Sequence, residues 1–363
     1  MTASTLANTP TAEAYAEKLF QASIATFETL SVYVGDRLGW YRSLVDDGPA
    51  TAAELAARTQ TQERYCLEWL EMQASYGTLT VDHGPTRGDR RFTLPPGPAE
   101  VLTDPHSLSF LGALPQIVAS IGPQLPNLLQ AYRQGGGVTW AQFGNDAREA
   151  QAALNRPWFE SQLAPALARC PGVPDILGQP GARIADVGCG AGWSTIALAQ
   201  AYPEAVLIGF DVDAPSIEMA RTAAQQAGVA DRVSFRLAEG ESLPEHDRFD
   251  AAFMFECLHD MPRPVEILSS IRSAVRPDGL VVVMDEAVAD EFQAPGDVVD
   301  QYMYGFSFFV CLPDGLSSTP SAGTGTVFRQ PILVDYAQRA GFSDVQVLPI
   351  EDFGFFRFYR LQG

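Results

Sequence analysis

Three alternate glycines follow an aspartate in DVGCGAGWS: Asp186, Gly188, Gly190 and Gly192, with Trp193 and Ser194 opening the next run. Glycine lets a chain turn tightly and lets backbone approach a ligand with no side chain between them. A helix starting behind such a turn favours negative charge at its N-terminus. Asp211 closes the next apolar run, 23 residues after Gly188, where a carboxylate can accept both hydroxyls of a ribose. A nucleoside cofactor is one expectation; a plain strand–helix turn with a solvated strand-end acid is the other. Three features argue against a dinucleotide. The spacing is GxGxG rather than GxGxxG, Asp186 stands where it would repel a pyrophosphate yet welcome a cationic amine, and a third acid, Glu239, ends the third apolar run.

A second group lies in Phe255-Glu256-Cys257-Leu258-His259-Asp260-Met261. Imidazole titrates near neutrality, so His259 can take a hydroxyl proton; it can equally position a substrate or serve the loop. Trp158 and Phe159 in NRPWFE, and Tyr302, Phe306, Phe308 and Phe309 further on, offer aromatic faces that suit a cation and also suit plain core packing. Cys257 and Cys311 have no basic neighbour in sequence and read as buried thiols.

These residues need a sheet to bring them together. RIADV, AVLIGFDVD, DRVSFRLAEG, FDAAFMFECL and GLVVVMDEA are apolar runs alternating with helical ones, the signature of a parallel sheet wrapped by helices. Helices are expected at about 294–310 and 330–340. Two final strands, DVQVLPI and GFFRFYRL, are close enough to pair antiparallel.

From about Asn155 onward the chain resembles the class I S-adenosylmethionine-dependent methyltransferases, through DVGCGAGWS, GFDVD, RLAEGESLP, FDAAFMFECLHDM and VRPDGLVVVMDEAV in that order. With its N-terminal pattern it is similar to bacterial, actinobacterial-type small-molecule methyltransferases that carry a winged helix. The resemblance implies an α/β fold: a doubly wound, seven-stranded Rossmann-like sheet behind a helical and winged-helix domain. It implies S-adenosyl-L-methionine as cofactor and S-adenosyl-L-homocysteine as product. Gly188, Gly190, Gly192 and Trp193 would lie against the methionine part, with Asp186 acting through the turn. Asp211 would hold the ribose, Val212 the adenine face, and Glu239 and Gly240 the adenine edge; most members have Asp at position 239. Phe255 and Glu256 would border the sulfonium. His259 would be the general base of an O-methyltransferase, buttressed by Glu286, 27 residues on, or by Asp285. N- or C-methylation with His259 only positioning substrate is the alternative. Met261 departs from the tryptophan usual after His-Asp. Trp158, Phe159, Tyr302, Phe306 and Phe309 would wall the acceptor chamber; no metal is implied.

Ahead of this, GPATAAELAART starts a helix at Thr51 with Glu54 three residues on, a capping box. TQERYCLEWLEMQASYG is a second helix and TLTVDHGPTRGDRRFTL a hairpin, which together read as a winged helix. Residues 44–100 hold nine acids and five bases, and the second helix sets Glu63, Glu68 and Glu71 against Arg64. Groove-reading helices present Arg, Lys, Asn or Gln instead. A packing or dimerisation module is therefore expected, with no nucleic-acid partner, although Arg87, Arg90 and Arg91 give the wing a weakly positive tip. A transcription regulator using the fold as a ligand sensor is the rival of another class.

The 363 residues carry a net charge of −20, which repels nucleic acid and anionic membranes. Pro105–Tyr132 contains no Lys, Arg, Asp or Glu, but the interruptions at Pro115, Pro123 and Pro126 and scattered Ser, Gln and Asn argue for buried helices rather than a membrane span. Five dispersed cysteines without CxxC, and an N-terminus without a basic or apolar leader, fit a cytoplasmic protein. The expected division is 1–102 helical and winged-helix, 103–180 connector and chamber cap, and 181–363 cofactor domain. The expected partners are a small-molecule acceptor and a second copy of the chain.

Overall fold

The computed structural model describes residues 10–238, 243 and 248–363, which divide into two compact units, Met1–Ala119 and Ser120–Gly363. Residues 103–119 of the expected connector thus belong to the first unit and 120–180 to the second.

In the first unit, α1 (Ala12–Arg37) starts where the Thr11 hydroxyl accepts from the Ala14 amide. It is followed by α2 (Trp40–Asp46), α3 (Ala52–Thr59) and α4 (Glu63–Ser75). Thr51 and Glu54 form the expected capping box on α3, with reciprocal bonds of 3.3 and 2.9 Å. Strands β1 (Thr80–Asp82) and β2 (Arg91–Thr93) pair antiparallel as the wing. Trp40, Tyr41, Leu55, Cys66, Trp69, Leu70 and Phe92 form the core. Inside it, Gln73 accepts from the Tyr41 hydroxyl at 2.7 Å and donates to Ser31 Oγ at 2.7 Å, so the polar groups tying α1 and α2 to α4 are satisfied. The wing arginines are already occupied. Arg87 and Arg90 both bond Glu71, and Arg91 bonds Glu54 at 2.7 Å. The positive tip suggested by composition is thereby neutralised by the unit's own acids.

The second unit is built on a seven-stranded sheet ordered β5-β4-β3-β6-β7-β9-β8. Its strands are β3 (Arg183–Val187), β4 (Val206–Asp211), β5 (Val233–Leu237), β6 (Phe249–Phe255), β7 (Val275–Glu286), β8 (Asp344–Val347) and β9 (Phe356–Gln362). Only β9 runs antiparallel, to β7 on one side and β8 on the other. Successive residues feed opposite faces: Ile184, Phe253 and Val282 enter one core, Ala185, Met254 and Val283 the other. Covering both faces explains why β6 is buried at every residue and reads as a continuous apolar run. No helix among the described residues is long and apolar enough to cross a membrane. The last two strands are shorter than their apolar runs suggested. The segment 348–355 joins β8 to β9, burying Phe353 in the core and setting Phe355 against Tyr302.

Candidate active site

The strand order sets the ends of β3, β4 and β6 side by side, with Asp186 opposite Gly209 on one flank and Phe253 on the other. Gly188, Gly190 and Gly192 have φ of +75°, +50° and +80°, conformations that L side chains resist. Two amides of the turn, from Gly188 and Cys189, donate to the Phe210 carbonyl at 2.8 and 3.1 Å. Asp211 completes the turn. Its Oδ2 accepts from the Gly190 amide and its Oδ1 from the Asp213 amide, both at 2.8 Å. Asp186 is buried beneath: Oδ2 accepts from the hydroxyls of Ser194 and Thr195 at 2.6 and 2.5 Å, while Oδ1 has no partner. Burial pushes this carboxyl up to about 6 despite those bonds. A Cβ on Gly190 would meet nothing within 4 Å, so the turn presents bare backbone.

These features fit a nucleoside ligand with a cationic amino-acid end. They comprise an open glycine backbone, a ribose-type carboxylate with a free lone pair on each oxygen, and a buried acid with an unpartnered oxygen. Val212, 68% exposed beside Asp211, offers an apolar surface. Trp193 instead lies under the Arg156 guanidinium, 4.2 Å from the ring centroid, and packs partly into the core. Glu239 and Gly240 lie outside the described residues.

His259 follows β6 and is only 2% exposed. Its Nδ1 bonds Asp285 Oδ1 at 2.8 Å, with Glu286 Oε2 at 3.4 Å and Asp260 Oδ1 3.3 Å from Nε2. The hydrogen-bonding buttress is thus Asp285 rather than Glu286, which stands just beyond hydrogen-bonding range. Burial opposes the imidazolium, yet Asp260, Asp285 and Glu286 together hold the His259 pKa well above its ordinary value. Burial raises Glu286, the neighbouring Asp285 charge adds to that, and Asp285 is held low mainly by His259 against its own burial. The imidazole and its acids thus form one buried cluster in which Asp285 makes the firm hydrogen bond.

NRPWFE closes the helix Trp140–Trp158 and runs into the helical turn after it. Asn155 Nδ2 donates to Glu256 Oε2 at 2.7 Å, and Trp158 packs on Phe353 at 5.5 Å. Tyr302 meets Phe306 and Phe355 edge-on at 5.0 and 6.0 Å. Phe309 is half-buried against a separate cluster around Leu128 and Val310. Two expectations are corrected here. Phe159, expected to wall the acceptor chamber, and Phe255, expected to border the sulfonium, are 6% and 5% exposed and pack on each other at 5.5 Å in the core. Phe355 was missed because nothing in its sequence neighbourhood sets it beside Tyr302.

Residues 179–305 match a methyltransferase domain family, and residues 26–104 match an Rv2258c-like winged HTH domain. The chain is 33% identical over 106 residues to 27-O-demethylrifamycin SV methyltransferase of Amycolatopsis mediterranei, covering 29% of this chain and 39% of that one. Matches to curated relatives span less than half of each relative's length. Among solved structures, mitomycin 7-O-methyltransferase MmcR superimposes with a TM-score of 0.73 at 19% identity, over 96% of this chain and 98% of that one. PigF, solved with S-adenosylhomocysteine, gives 0.71 at 18% identity over 96% and 99%. The chain therefore carries a methyltransferase domain of the class I S-adenosylmethionine-dependent fold behind an N-terminal winged helix-turn-helix domain.

Proposed function

We propose that the protein transfers a methyl group from S-adenosyl-L-methionine to an oxygen of a small-molecule acceptor, leaving S-adenosyl-L-homocysteine. The observation that carries this is the convergence of the Gly188–Gly192 turn, Asp211 and the His259–Asp285 pair on one edge of the sheet, where open α/β sheets bind ligands. The cofactor supplies an electrophilic methyl on a sulfonium. Asp211 holds the ribose, Asp186 meets the cationic amine through the turn, and Val212 packs on the adenine. Tyr302, Phe306, Phe355 and Trp158 align the acceptor and keep water out, which is where displacement at a methyl carbon gains most.

His259 in this geometry serves to position charge. Asp285 and Asp260 stand at its two ring nitrogens and favour its charged form. General-base action at Nε2 is the second possibility, and it requires Asp260 to turn aside; the firm Nδ1–Asp285 bond favours it, because that bond would leave Nε2 as the working nitrogen. Calorimetric titration with S-adenosylmethionine, S-adenosylhomocysteine and NAD tests the cofactor. Micromolar binding of the first two and none of NAD is expected. Asp211→Asn should weaken both by more than ~1.5 kcal/mol, about tenfold, by removing charge-assisted bonds. Unchanged affinity would discard the ribose assignment.

The winged-helix unit pairs two copies in this proposal. Along α1, Leu19, Phe20 and Phe27 are each about 60% exposed, more apolar surface than a lone helix leaves to water without purpose. Sedimentation should report twice the chain mass, and Phe20→Glu with Phe27→Glu should return a monomer. A monomeric wild type would remove the pairing.

A further inference from the structure

Glu256 stands at the exit of β6 with φ +54°, one of two non-glycine residues in left-handed backbone among the described residues. That conformation is disfavoured in an L-residue. It persists because the flanking atoms are pinned: the Glu256 amide donates to the Met284 carbonyl at 2.8 Å, and the Cys257 thiol donates to the Val187 carbonyl at 3.1 Å. Cys257 abuts the glycine turn so closely that a Cβ on Gly188 would fall 2.6 Å from its Sγ. The strained residue is thus fixed next to that turn.

Its carboxyl has no cation of its own. From the helix Trp140–Trp158 it receives the neutral amides of Asn155 and Gln151, while the adjacent Arg156 is spent on Glu160 and Trp193. From β7 it faces Asp285 and Glu286, and from the helix Val298–Phe306 it faces Tyr302. Among the described residues, His259 is the basic side chain that faces it, and its ring nitrogens are already taken by Asp260 and Asp285. A half-buried carboxyl in this setting lacks a positive partner, and burial raises it to about 7.

We propose that Glu256 distinguishes the charged methyl donor from its neutral product: the carboxyl gives its proton to solvent when a sulfonium is seated beside the Gly188–Gly192 turn, and takes one back when the thioether replaces it. The inference rests on the proposed use of S-adenosylmethionine. It adds to the donor's affinity relative to that of the spent cofactor.

The test is calorimetry of the full chain at pH 7 with S-adenosylmethionine and S-adenosylhomocysteine, each in phosphate and in Tris, whose ionisation enthalpies differ. The donor should release about half a proton more than the product, the fraction expected of a group titrating at about 7. Both ligands carry the same amino-acid end, so its contribution largely cancels. In Glu256→Gln the difference should vanish and the donor-to-product affinity ratio should fall about tenfold, with product binding retained as the sign of an intact fold. Equal proton counts in the wild type, or a difference that survives in Glu256→Gln, would overturn the inference while leaving the cofactor in place. Failure of either compound to bind the wild type would overturn the cofactor assignment and the inference with it.

Discussion

His259→Ala lowers stability by about 3–5 kcal/mol near pH 6.5, because it strips the cation from a buried cluster and leaves Asp285 uncompensated. The sign follows from linkage. In the wild type the folded pKa of His259 is raised, so its stabilisation is complete below the unfolded value near 6.5 and is lost as pH climbs through the folded one. In the variant, Asp285 loses the charge that holds it low, and its folded pKa rises above the unfolded value. The variant is therefore spared below about pH 4 and penalised above it. The gap between the two proteins should widen from pH 4 to 6.5 and narrow again in alkali. Urea unfolding at pH 4.5, 6.5 and 8.5 reads this directly. A gap independent of pH would mean that His259 contributes packing alone.

Gly192→Ala should cost about 2–5 kcal/mol. The left-handed backbone at φ +80° contributes ~1–2 kcal/mol. Overpacking adds ~1–3 kcal/mol, since the new Cβ would lie 2.7 Å from the Phe235 ring and 2.9 Å from Ala220 Cβ. Gly190→Ala is the control: its φ is +50° but its Cβ meets nothing within 4 Å, so only the backbone cost remains. Equal unfolding midpoints for the two variants would show that the helix behind the turn yields, and that close packing of Gly192 on β5 is not what fixes it.

The sheet was legible because its central strands are covered on both faces and read as mostly apolar runs, and the glycine turn because its conformation restricts the residue type. Asp211 was legible by its place at a strand end. What escaped the sequence depends on contacts between distant segments. Spacing along β7 brings a carboxylate to His259 but does not decide between Asp285 and Glu286, which the folded strand separates by 0.6 Å of reach. Phe159 looks like a chamber aromatic until its packing on Phe255 puts it in the core. The wing arginines look available until Glu71 takes two of them. The strain at Glu256 is a property of the backbone, and no residue type announces it.

The position of β9 has a consequence for synthesis. It lies between β7 and β8, with Arg357 opposite Asp285 and Phe356 opposite Glu286. A chain emerging from the ribosome can form β3, β4, β5 and β6 and close the glycine turn while residues 356–362 are still to come. The acids beside His259 stay at an open sheet edge until β9 arrives, in water, where carboxylates ionise freely and repel one another. Covering this edge of β7 therefore waits for residues 356–362, whereas the glycine turn needs only β3, β4 and the helix behind it.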